Sequence, residues 1–68
     1  MNKRKAIAQH EQLHEIMGAM YRLRETFNCG QNRFGEYGRN IRESYERQAQ
    51  RFEKLTGESA PSIYRDSN

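Results

Sequence analysis

The chain has one cysteine, Cys29, one proline, Pro61, and no tryptophan. A single cysteine excludes an internal disulfide, which fits a reducing, intracellular compartment. The proline lies near the C-terminal end, so the strongest helix breaker is missing from the residues before it. No apolar run approaches the ~18 residues of a membrane span, so no membrane association is expected. None of 7–15 residues follows the basic Met1-Asn2-Lys3-Arg4-Lys5 start either, which argues against a secretory signal. The expected location is the cytoplasm. Apolar residues are also scarce, at 34% of 68 residues. Such a chain has room for one structural unit. Its core comes out near break-even against an ordering cost of about 1.5 kcal/mol per residue. Association with itself or with a partner is the expected remedy. The abundant charge does not argue for disorder. Twelve Lys and Arg nearly balance nine Asp and Glu, and aromatic residues interrupt them.

What is present has a helical period. Ala6, Leu13, Met20 and Phe27 recur every seven residues, with Ile16 and Leu23 between them. Arg4, Glu11, Glu15, Gly18 and Arg22 fall on the opposite side. The spacing predicts a first helix over about 3–28, ending at Asn28-Cys29-Gly30, where glycine takes a left-handed cap. A second stripe runs through Phe34, Tyr37, Ile41, Tyr45, Gln48, Phe52 and Leu55, closed by Thr56-Gly57. Gly35 and Gly38 each cost about 1 kcal/mol inside a helix, yet Phe34 and Tyr37 share the apolar arc. The expected second helix therefore covers about 33–56, irregular through Gly38, after a turn at about 29–32. The fold class is all-α: an antiparallel two-helix hairpin over 1–57 with a flexible or docking tail over 58–68.

The first helix is more apolar than one neighbour requires. Ile7, His10, His14, Met17 and Tyr21 extend its stripe sideways to about half the circumference, wider than the ~100° of an ordinary surface helix. Two hairpins assembled as a dimeric four-helix bundle, or a higher oligomer, would cover that arc. The simpler alternative is that Ile63 and Tyr64 fold back over it. The expected partner or oligomer interface comprises Ile7, His10, Leu13, His14, Met17, Met20 and Tyr21.

His10-Glu11-Gln12-Leu13-His14 spells H-E-x-x-H, the pattern in which two histidines one turn apart share a zinc and the glutamate acts as base. A catalytic zinc takes three protein ligands and an open position. Here Met20 stands where a third histidine would extend the motif, and no third His exists. The pair reads as border residues of the apolar arc. No metal, cofactor or catalytic residue is expected, since Cys29 has no histidine near it in sequence and the glycines match no phosphate loop. An enzyme is not expected.

Arg33, Arg39 and Arg42 lie among Phe34, Tyr37 and three glycines. Guanidinium groups fork onto phosphates and aromatic rings stack on bases, so Arg33, Tyr37, Arg39 and Arg42 form a candidate site for nucleic acid or a phosphorylated ligand such as a nucleotide. Lys3, Arg4 and Lys5 would add to it. Against this, Arg alternates with Glu along the second helix, and a net charge of +3 is modest. The wide arc, with adaptable Met17 and Met20 beside Tyr, fits a protein partner better. The expected function is a small binding protein, a regulator or inhibitor that docks helix faces on a macromolecule. In plan and size the chain is similar to small helical regulators and inhibitors of plasmids and bacteriophages, a likeness of architecture alone.

Overall fold

The computed structural model describes residues 3–65, and of residues 3–7 only the course of the backbone. Two helices, α1 (Lys3–Phe27) and α2 (Gly35–Thr56), pack against each other, with no strand among the described residues. Phe27 and Ile41 share the core near the turn, while Ile16 and Leu55 line one groove farther along, so the helices run antiparallel. On α1 the heptad residues Ile16, Met20 and Phe27 are buried, and Leu13 and Leu23 are half-buried. Ala6 falls among the residues whose side chains are not described. On α2 the stripe is buried at Ile41 and Tyr45 and half-buried at Gln48, Phe52 and Leu55.

The turn is longer than its composition suggested. It occupies 28–34, and α2 begins at Gly35 rather than at 33. Gly30 has φ +63°, Phe34 is extended (φ −104°, ψ 154°), and Gly35 has φ +71°. That left-handed step redirects the chain just before the helix and suits glycine alone. Phe34 and Tyr37, expected on the apolar stripe, are 66% and 57% exposed instead. The reason is Gly38, which lies buried against the incoming turn: a Cβ there would stand 2.3 Å from both the carbonyl carbon and oxygen of Arg33. With Gly38 facing inward, Tyr37 is rotated about 100° away, toward solvent. Gly38 is no irregularity; it permits the close approach that lets α2 start.

Gly57 ends α2 in the left-handed conformation (φ 75°), its N–H donating to the Glu53 carbonyl at 2.8 Å. The tail then folds back along the hairpin. Ile63 enters the core at 6% exposure, joining Phe27, Ile41 and Tyr45. Burying one such side chain stabilises by about 1.5–3 kcal/mol. The Tyr45 hydroxyl donates to the Pro61 carbonyl (2.6 Å), and the Asn28 side-chain amide donates to the Ile63 carbonyl (2.7 Å). The Tyr64 ring meets Phe27 edge-on, with centroids 5.3 Å apart, and Arg65 forms an ion pair with Glu25. Docking is thus the course this tail takes. It closes the turn end of the hairpin and leaves the flank at Met17 and Tyr21 open.

Candidate functional site

The expected interface residues separate into two environments. Met20 points into the hairpin and is buried in its core, so it is a packing residue and not part of an outer surface. Leu13 is half-buried. Met17 and Tyr21, one position round the helix from Ile16 and Met20, are 51% and 66% exposed. His10 and His14 are exposed on the same flank, and the side chain of Ile7 lies outside the described residues. Beside Met17 and Tyr21 opens a mainly apolar cleft of about 180 Å³, bordered also by Met20, Arg24, Tyr45, Phe52 and Pro61. α1 supplies one wall and α2 the other, while the returning tail contributes Pro61. The Arg24 Nε is buried without a hydrogen-bond partner. Arg24 and Pro61 were not legible as site residues, because one lies off the apolar stripe and the other beyond both helices.

At the turn, the structure brings Phe34 and Tyr37 to the surface near the start of α2, with Arg39 exposed and Arg33 and Arg42 half-buried. Glu36 and Glu43 are exposed on the same part of α2, which tempers the positive field. Lys3, Arg4 and Lys5 have no described side chains. Cys29 is exposed in the turn as a free thiol.

His10 and His14 lie on the surface with Glu11 and Glu15, far along α1 from the tail. Among the described residues no three His, Cys, Asp or Glu side chains gather into a metal-ligating group. None of the described helices is long and apolar enough to cross a membrane.

Two acids are perturbed. A side-chain hydrogen bond from Arg65 outweighs the opposing desolvation and, with the charges of Arg65 and Arg24, holds the Glu25 carboxyl below its ordinary value. Burial pushes the Tyr45 phenol above its ordinary 10.0, opposed by the charge of Arg24. No known protein family matches the chain, and no curated protein or solved structure is significantly similar to it.

Proposed function

We propose that the chain is a small non-enzymatic binding protein of the cytoplasm, a regulator or inhibitor that docks helix faces on a macromolecular partner and associates with itself. The observation that carries this reading is the exposed pair Met17 and Tyr21 beside the apolar cleft. Flexible methionine and amphipathic tyrosine suit an interface core. The same flank, with Leu13, would join two hairpins as a four-helix bundle. The test is a Met17→Lys/Tyr21→Lys double variant. It should keep its helical circular dichroism, because neither residue belongs to the core. It should sediment as a monomer where the wild type is a dimer or larger at micromolar concentration. It should also lose proteins retained by the wild type from nuclease-treated host extract. A monomeric wild type removes the self-association, and identical retention by both chains removes the docking surface.

A second reading, recognition of nucleic acid or a phosphorylated ligand, is favoured by one observation: Phe34 and Tyr37 are exposed beside Arg39. On this reading Tyr37→Ala costs about 1–3 kcal/mol of binding and leaves the melting temperature unchanged. Arg39→Ala lowers the log–log salt slope by about one unit. The alternation of Glu36 and Glu43 with the arginines ranks it second. A flat salt dependence of binding would eliminate it.

A further inference from the structure

We propose that the groove between α1 and α2 at the turn end is a receptor for a non-helical peptide segment. Residues 60–65 are its resident ligand, and a partner protein's segment of the same chemistry replaces them. This rests on reading the chain as a protein-binding protein, and it names the ligand.

The backbone groups of a helix are consumed within the helix, so a helical receptor must read a peptide backbone with side chains. That is the arrangement here. The Glu53 carboxylate accepts from the Ala60 N–H (2.9 Å) and the Tyr45 hydroxyl donates to the Pro61 carbonyl (2.6 Å). Asn28 takes two groups at once: its Nδ2 donates to the Ile63 carbonyl (2.7 Å) and its Oδ1 accepts from the Arg65 N–H (3.2 Å). A second donation from Nδ2, to the Arg24 carbonyl at 2.8 Å, orients the amide. Asn28 therefore meets a C=O and the N–H two residues on, as a neighbouring peptide unit would.

The backbone groups taken are the Ala60 and Arg65 N–H and the Pro61 and Ile63 carbonyls, with a bend at Ile63 that turns its side chain into the core. These backbone contacts are indifferent to sequence; three side chains add selectivity. Ile63 is buried in the core, Tyr64 packs edge-on to Phe27, and Arg65 pairs with Glu25. The ligand class is thus a segment of the form Pro-x-Ile-aromatic-basic, with a small residue before the proline.

The test uses a fluorescent peptide of sequence Glu58–Arg65 and the full chain. The tethered tail competes at an effective concentration of roughly millimolar, so the wild type should bind the peptide only in that range. Ile63→Asp in the chain should expel the tail and tighten peptide binding at least about tenfold. Asn28→Ala added to Ile63→Asp should erase the gain, and a peptide with Asp at the Ile position should not bind. A helical Ile63→Asp chain that binds no peptide up to about 1 mM would overturn the proposal. If that variant loses its helices, the wild type decides: excess unlabelled peptide must shift the isotope-labelled chain's own Ile63 methyl resonances as they leave the core, and unshifted resonances overturn it equally. Dissociation of a wild-type dimer by the peptide would assign the groove to a second copy's tail and overturn the partner assignment. Because the probe is synthetic, peptide binding without any protein retained through Met17 and Tyr21 upholds the groove and fails only the flank reading.

Discussion

At the turn end of the hairpin, Phe27, Ile41, Tyr45 and Ile63 are all buried, and side chains of both helices hold the tail. At the far end, His10, Glu11, His14 and Glu15 on α1 and Arg47, Gln50, Arg51 and Lys54 on α2 are exposed, with Leu13 and Leu55 only half-buried between the helices. The pairing of α1 with α2 is common to both ends; the third layer is not. Two amphipathic helices enclose little on their own: Ile16 and Met20 are buried between them, and an isoleucine from a third segment extends that core over the turn end. The far end is therefore where local opening should begin and where a second copy would gain most.

The largest effect expected at the turn end comes from Gly38→Ala. Its Cβ would overlap the Arg33 backbone, which cannot swing aside as a side chain would, so the variant should lose about 3 kcal/mol in denaturant titration. Next comes a matched pair across the two ends. Ile63→Ala should cost about 2 kcal/mol, the low end for a buried aliphatic residue, and Leu55→Ala about 1 kcal/mol. Equal costs would break the comparison and mean that the far end is covered in solution. The smallest effect is opposite in sign. Gly18 lies exposed in α1 with nothing within 4 Å of a Cβ, so Gly18→Ala should raise stability by about 0.5–1 kcal/mol. Destabilisation there would show that another chain approaches α1 at that face.

The hairpin was legible because its cause is local. Leu13, Ile16, Met20, Leu23 and Phe27 carry the 3.6-residue period in the chain itself, and the structure turns them inward. Phe34 and Tyr37 were misplaced for a specific reason. Periodicity extrapolates a helix backward in phase, and the left-handed Gly35 with the close packing of Gly38 breaks that phase before the stripe begins. Two glycines three apart were read as a cost when one marked a left-handed step and the other a near contact. The docking of the tail was legible only as an option. Ile63 belongs to no helical stripe, and its partners Asn28 and Tyr45 lie 35 and 18 positions away, beyond the reach of any local pattern. The one available signal was an apolar pair, Ile63-Tyr64, placed after a helix stop where solvent-facing chain has no need of it.

The hydroxyl of Tyr45 makes the docked tail optically readable. Without tryptophan, the near-ultraviolet absorbance of this chain belongs to its four tyrosines, and a phenolate absorbs at longer wavelength than a phenol. Once ionised, the Tyr45 oxygen has no proton to give to the Pro61 carbonyl, so its ionisation and the loss of that hydrogen bond are one event. Its folded pKa stands above the unfolded value of about 10, so the stability it contributes is complete below that pH and drains away as alkali passes the higher, folded value. An alkaline titration followed by ultraviolet absorbance, with Tyr45→Phe subtracted from the wild type, would isolate the ionisation that breaks this hydrogen bond. The chain thus carries its own reporter for one of the contacts that hold the tail, beside those of Asn28, Glu53 and Ile63.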